Sequence, residues 1–181
     1  VSVITATHNR PEMLAEAMAS VRAQTAFSDC EILIASNGET SPQRSRDVAE
    51  RFGCRFIELR EANRSLARNK AIALAQGEWI AFLDDDDLWM PNKLALQTDF
   101  AASSGADCIF TDFILHNMRD SSGDCVHRVG PYRDYSLQES MLIWRAGSGG
   151  CSTVLVRRQA LLGLGGFDVN MALTEDWDMW R

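Results

Sequence analysis

Four carboxylates in a row, Asp84-Asp85-Asp86-Asp87, follow the apolar stretch Ile80-Ala81-Phe82-Leu83 and precede Leu88-Trp89-Met90-Pro91. Adjacent like charges repel, and a hard divalent cation such as Mg²⁺ or Mn²⁺ is the partner that carboxylate oxygens suit best. An isolated acidic run is more often a solvated turn, or the cap of a following helix. Here a strand buried on both faces is expected over 79–83, and Pro91 is placed to open a helix. The run therefore falls at the carboxyl edge of a sheet, where open α/β folds bind ligands. Leu88 would occupy the fifth ligand position of an EF-hand loop and no glycine stands at the sixth, which excludes that calcium motif. A second acidic pair, Glu175-Asp176, follows Thr174. Threonine caps helices and acids suit a first turn, so a short helix is expected to start there. A carboxylate so placed can also take a proton from an attacking hydroxyl.

The elements that must carry these groups alternate. Strands are expected over 1–6, 31–35, 54–59, 79–83 and 106–111. Helices are expected from Pro11, with Met13, Leu14, Ala17, Met18 and Val21 on one stripe, and over 43–52, 65–76 (capped by Ser65) and 92–103. That rhythm predicts an α/β fold with a mostly parallel sheet flanked by helices. It then changes. Segments 113–118 and 125–129 flank a polar turn at 119–124, which predicts a smaller antiparallel addition in the C-terminal part. Gly147-Ser148-Gly149-Gly150 reads as a hinge or a loop of close approach. A further strand over 151–156 and a short helix over 157–164, stopped by Gly165-Gly166, complete the pattern.

The 181 residues suit one domain, 1–181. A net charge of −7 and a pI near 4.9 argue against nonspecific binding to nucleic acid or anionic membrane. An anionic substrate then needs local help from a metal or a few placed arginines. The five cysteines are odd in number and form no C-x-x-C pair, so neither zinc nor a disulfide framework is signalled. Most of them lie in strand-like apolar runs, where cysteine is usually a small buried hydrophobe. A reducing, cytoplasmic setting is the economical expectation. No apolar run approaches the roughly 18 residues of a membrane span. Val1 lies inside an apolar strand and Arg181 in mid-pattern, so flanking segments are expected, and any membrane association would run through them.

Four stretches agree in order and spacing with one known family. They are the opening strand and loop through Thr7-His8-Asn9-Arg10-Pro11, Ser65-Leu66-Ala67-Arg68-Asn69, Phe82-Leu83-Asp84-Asp85-Asp86-Asp87, and Thr174-Glu175-Asp176. Over nearly its whole length the chain resembles the catalytic domain of family 2 glycosyltransferases. The resemblance implies a GT-A, Rossmann-like fold, with 1–112 as the nucleotide-sugar-binding half and 113–181 as the acceptor side. It implies transfer of a sugar from a nucleoside diphosphate, UDP or GDP, to a hydroxyl of a glycan, lipid or polysaccharide, with inversion and with Mn²⁺ or Mg²⁺. Asp86 and Asp87 would contact the metal, and Asp84 the ribose or the metal's surroundings. Thr7, His8, Asn9, Asn37, Arg68, Asp84 and Asp86 would bind the nucleotide-sugar. Asp176 would be the base, with Glu175 supporting it.

Each role has a plainer counterpart. Asp85 can simply be solvated, Arg68 can form a surface ion pair with Glu61 or Glu78, Thr7 and Asn9 can cap a helix, and Trp89 can pack beneath the acidic loop. Relatives commonly carry an aromatic at His8, an aspartate where Ser36 and Asn37 stand, and glycine at Asn63, where asparagine tolerates a left-handed backbone. Raising the basicity of Asp176 at a helix start would require burial near Trp177 or Trp180. Two rivals remain. A nucleotidyltransferase would need a glycine-rich, basic loop after the first strand, which Thr7-His8-Asn9-Arg10 lacks. A non-catalytic nucleotide- or glycan-binding module derived from such enzymes is the alternative from another class.

Overall fold

The computed structural model describes residues 1–26, 28, 30–115 and 150–180, and the backbone of 125–127. The turn expected over 119–124 and the glycine-rich 147–149 lie outside the described residues. In chain order the elements are β1 (Ser2–Thr7), α1 (Pro11–Arg22), β2 (Glu31–Ser36), α2 (Gln43–Arg51), β3 (Arg55–Ile57), α3 (Arg64–Leu74), β4 (Trp79–Phe82) and α4 (Lys93–Ser104). They continue with β5 (Cys108–Phe110), β6 (Phe113–Leu115), β7 (Cys125–His127), β8 (Val154–Arg157), α5 (Arg158–Leu164) and α6 (Glu175–Met179). Among the described residues no helix is long and apolar enough to cross a membrane.

The main sheet runs β3-β2-β1-β4-β8-β5. The first four strands are parallel, with Val3 beside Ile32 and Ile4 beside Phe82. β8 enters antiparallel to both neighbours, pairing Ile80 with Val156 and Ile109 with Leu155. β6 and β7 pair antiparallel in a small second sheet, as the sequence predicts. The order reverses at β1, which is flanked by β2 and β4, so a crevice opens at the carboxyl ends of β1 and β4.

Strand periodicity sorts the core into two layers. Val3, Ile32, Ile34, Ala81 and Leu83 face one side, against Leu14, Ala17, Met18 and Val21 of α1, Ala49 of α2, and Leu94 and Ala101 of α4. Ile4, Leu33, Ala35, Ile80 and Phe82 face the other, against Ala67, Ala71 and Ile72 of α3, Leu161 of α5, and Phe167. Each large side chain buried in this way contributes about 1.5–3 kcal/mol. The alanines let α3 lie close to the sheet, so a polar residue on the same helix face is carried into the interior.

Local signals hold, with corrections at the caps and the cysteines. Pro11 opens α1 as expected. Asn63, not Ser65, caps α3: its Oδ1 accepts from the Leu66 N–H at 2.9 Å, while Ser65 is buried within the first turn. Asn63 is extended at φ −148, and the asparagine in the left-handed region is Asn9, at φ 55. Thr174 stands at the cap of α6 at φ 61 but makes no side-chain capping bond. The cysteines are less uniformly buried than strand-like runs suggest: Cys30, Cys54 and Cys108 are partly exposed, and Cys151 is buried in a 3₁₀ turn, Cys151–Thr153.

Candidate functional site

The acidic run leaves β4 as a tight turn in which each carboxylate meets a different partner. Asp84 Oδ1 lies 2.8 Å from an Arg68 nitrogen. Asp85 is 1% exposed, accepts from Thr7 Oγ1 at 2.8 Å, and pairs with Arg10 at 2.6 Å. It is therefore a buried, bonded group, contrary to the solvated reading. Asp86 is 46% exposed and meets the other terminal nitrogen of Arg10 at 2.6 Å. Asp87 accepts from Ser152 Oγ at 2.6 Å, and the Asp84 N–H donates to that same oxygen at 2.9 Å. Burial pushes the carboxyls of Asp85 and Asp87 up. For Asp87 the bond from Ser152 opposes this, while the charges of Asp84 and Asp86 add to it. Trp89 is buried beneath the turn with its indole N–H on the Ser152 carbonyl at 3.0 Å, which is the packing role expected of it.

Arg68 joins the two acidic motifs. It is 4% exposed, and its two terminal nitrogens reach Asp84 at 2.8 Å and Glu175 at 2.7 Å. Its guanidinium also lies 5.3 Å from the centre of the Phe167 ring. Desolvation opposes its charge, but the neighbouring anionic groups outweigh that and raise its pKa. The surface ion pair with Glu61 or Glu78 does not form; Glu78 pairs with Arg157 instead. Glu175 is consumed by this contact, with Arg64 3.4 Å away. Asp176 is half-buried beside Gly150, whose backbone sits at φ 74 and ψ −179, a conformation suited to glycine. A side chain begun at Gly150 would point to within 3.9 Å of the Asp176 carboxylate. Burial raises the Asp176 pKa, partly countered by the Trp177 N–H on its Oδ1 at 2.9 Å. That is the direction required of a base. Trp180 packs edge-on against Phe110 and Phe167.

At the end of β1, His8 and Asn37 meet. His8 Nδ1 donates to the Asn37 carbonyl at 2.6 Å, since a carbonyl can only accept, which leaves Nε2 as the acceptor facing Asn9 Nδ2 at 3.1 Å. The left-handed Asn9 presents its N–H to Glu39 at 2.9 Å, and Ser45 donates to the same Glu39 oxygen at 2.6 Å. Gly38 closes the facing turn at φ 67, where a Cβ would lie 2.5 Å from the backbone of Ala62. Thr7 Oγ1 and the Asn9 backbone are thus committed to Asp85 and Glu39, and neither caps α1.

Contacts gather these residues at the carboxyl ends of β1 and β4: Thr7 meets Asp85, His8 meets Asn9 and Asn37, Asp84, Asp86 and Asp87 share one turn, and Arg68 ties that turn to Glu175, next to Asp176. Three residues escape sequence reasoning as parts of this site. Arg10 stands next to the residues named in the loop, and its charge beside four acids is a usable signal. Ser152 and Glu39 carry no local signal, because their partners lie on other elements. Among the described residues no group of three or more His, Cys, Asp or Glu side chains is arranged to hold a metal alone.

Comparison with known proteins agrees with this fold. The family model described as glycosyl transferase family 2 matches residues 2–163. An uncharacterised glycosyltransferase of Nostoc sp. is 32% identical over 171 residues, which cover 89% of this chain and 52% of that protein. The Escherichia coli enzyme WfgD, named as a UDP-Glc:α-D-GlcNAc-diphosphoundecaprenol β-1,3-glucosyltransferase, is 27% identical over 99% of this chain and 68% of its own. Staphylococcus aureus TarS 1–349, crystallised with UDP, superposes with a TM-score of 0.77 at 19% identity, over 98% of this chain and 53% of that one. A mannosyltransferase of Pyrobaculum calidifontis, crystallised with GDP-Man and Mn²⁺, gives a TM-score of 0.71 at 18% identity, over 98% and 50%. The chain thus spans about half the length of several of these proteins. The architecture is the GT-A form of the Rossmann-like α/β fold. With a family match over residues 2–163, the chain belongs to glycosyl transferase family 2.

Proposed function

We propose that this chain is the catalytic domain of a metal-dependent inverting glycosyltransferase that moves a sugar from a nucleoside diphosphate to a hydroxyl acceptor. The observation that carries this reading is Arg68. A single buried guanidinium ties the acidic turn after β4 to the start of α6, so donor-side and base-side carboxylates are held at a set separation across one crevice.

The donor set fits Mn²⁺ or Mg²⁺. Asp86 and Asp87 supply hard oxygens; burial, with the charges of Asp84 and Asp86 adding to it, raises the Asp87 pKa, and a cation there would favour the ionised form. Mg²⁺ is commonly held by one or two carboxylates plus substrate phosphates, so two protein ligands suffice. When bound, such an ion acts as a Lewis acid that neutralises charge on the departing diphosphate. Thr7, His8, Asn9 and Asn37 would line the nucleotide's approach, with Asp84 reaching the ribose and Arg68 acting on the nucleotide through Asp84. Asp176 would take the acceptor's proton as its oxygen attacks the anomeric carbon from the face opposite the leaving group. Burial brings its pKa toward what a base needs. Glu175 would hold α6 in place rather than move protons. By the relatives' printed names, UDP- and GDP-sugars are the donors to try, and a lipid-linked sugar is an acceptor to include.

The test is Asp176→Asn. Binding of UDP-glucose or GDP-mannose with Mn²⁺, measured calorimetrically, is expected to stay within about threefold of wild type. Transfer and slow donor hydrolysis, read by nucleotide release, should fall by about 10²–10⁴-fold. A variant that turns over like wild type would remove Asp176 as the base. A wild-type protein that binds donor yet neither hydrolyses nor transfers it would favour the binding-module reading.

A further inference from the structure

Asp86 already has a cation. One terminal nitrogen of Arg10 lies 2.6 Å from Asp86 Oδ2, while the other lies 2.6 Å from Asp85 Oδ1. The two contacts differ in kind. Asp85 is buried and also bonded to Thr7, so Arg10, itself 44% exposed, is the counter-charge of a carboxylate that water does not reach. Asp86 is half exposed, and an ion pair there is screened and readily exchanged. The Arg10 backbone is pinned on both sides, by the left-handed Asn9 with its N–H on Glu39 and by Pro11 at the first position of α1. The guanidinium is therefore tethered at the acidic turn, with one firm and one exchangeable partner.

We infer that Arg10 is a built-in counter-ion that competes with the divalent cation for Asp86, so that metal and nucleoside diphosphate bind cooperatively. The inference rests on the assignment of Asp86 to the metal made above. A guanidinium and a divalent ion on one carboxylate repel each other, so in the donor-free protein Arg10 lowers the affinity for metal. A diphosphate arriving with the ion offers Arg10 a replacement for the anion it gives up, and arginine suits phosphate oxygens. By linkage, the nucleotide must then tighten metal binding by the same factor as the metal tightens nucleotide binding.

The experiment measures Mn²⁺ affinity by electron paramagnetic resonance, alone and with saturating UDP or GDP. The proteins are wild type, Arg10→Met, Asp85→Asn, and the double variant Arg10→Met with Asp85→Asn. The double variant removes the unpaired buried charge that Arg10→Met alone would leave. The amide that replaces the Asp85 carboxylate can still accept from Thr7, and thermal melting confirms each fold. The double variant is expected to bind Mn²⁺ alone about tenfold tighter than Asp85→Asn, and to lose most of the tightening by nucleotide seen in wild type. If it melts normally and binds Mn²⁺ no tighter, Arg10 is merely the partner of Asp85 and the inference fails. Asp86→Asn separates the two levels. If it binds Mn²⁺ with nucleotide as well as wild type does, the metal assignment itself is wrong and the inference falls with it.

Discussion

Arg68 directs one nitrogen to Asp84, which is one-third exposed, and another to Glu175, in an interior where water cannot substitute. Removing the cation leaves Glu175, which is 3% exposed, with only the longer contact to the half-exposed Arg64 at 3.4 Å. Breaking a buried pair of this kind costs about 3–5 kcal/mol. Arg68→Met is therefore expected to melt roughly 6–20 °C below wild type, at about 2–4 °C per kcal/mol for a chain of this size. Arg68→Lys keeps the charge but not the two-armed fork, so it should hold its fold better while binding donor more weakly. Calorimetric melting and nucleotide titration of the two variants decide this, and a lysine variant matching wild type in both would make the fork irrelevant. The sequence names Arg68 but not its office. Its partner Glu175 stands 107 positions away, and nothing local separates an arginine bound for the surface from one carried inward by the alanine face of α3. Asp85 is the same case, because only the register of β1 against β4 brings Thr7 to it.

At the level of elements, the turn before β8 braces the turn after β4. Ser152 Oγ accepts the Asp84 N–H and donates to Asp87, its carbonyl takes the Trp89 indole N–H, and the next carbonyl, of Thr153, takes Gln97 Nε2 at 2.9 Å. Ser152→Ala leaves Asp87 without its donor and should cost about 1.5–3 kcal/mol, as for a hydrogen bond to a charged group. On the proposed roles it should also weaken Mn²⁺ binding in the nucleotide complex severalfold, whereas Ser152→Thr should restore both. Melting curves and Mn²⁺ titrations check the pair of outcomes; an alanine variant with lowered stability but unchanged Mn²⁺ affinity would reduce Ser152 to a packing contact. Most helix and strand spans are legible from periodicity to within about two residues, but the strand expected from 151 begins at Val154, after the 3₁₀ turn Cys151–Thr153, and the caps are less legible still. Asn63 and Ser65 are both competent to cap and stand two positions apart, and the choice falls to Asn63 because its Nδ2 also reaches the Val169 carbonyl at 2.8 Å. No pattern near α3 announces that contact.

For the molecule as a whole, alternation along the chain suffices to expect a mostly parallel sheet with a ligand crevice at its carboxyl edge. It does not reveal that β8 inserts between β4 and β5, since that depends on pairing Trp79 with Arg157, far apart in sequence. A consequence of that insertion is the burial of Lys93 at the start of α4. Its ammonium meets only weakly compensating partners, Gln97 Oε1 at 2.6 Å and the Trp89 ring at 4.2 Å. Gln97 in turn holds the carbonyls of Ile109 and Thr153. Burial pushes the Lys93 pKa down to about 7. An unfolded chain keeps that proton up to about pH 10.4. Between those values the unfolded state binds one proton more, so folding stability rises with pH, by up to about 1.4 kcal/mol per unit. Below pH 7 both states are protonated and the full cost of burial stands. Thiols act oppositely at higher pH, because burial raises Cys54 to about 11 and Cys108 to about 12, so unfolding frees their protons first. The clean window is therefore pH 7 to about 8.5, below ordinary thiol ionisation. There the wild-type midpoint should climb by roughly 3–6 °C per unit, and Lys93→Met should start higher at pH 7 and stay flat. Parallel slopes for the two proteins would mean that the ammonium reaches water and that α4 packs against Trp89 more loosely than these contacts imply.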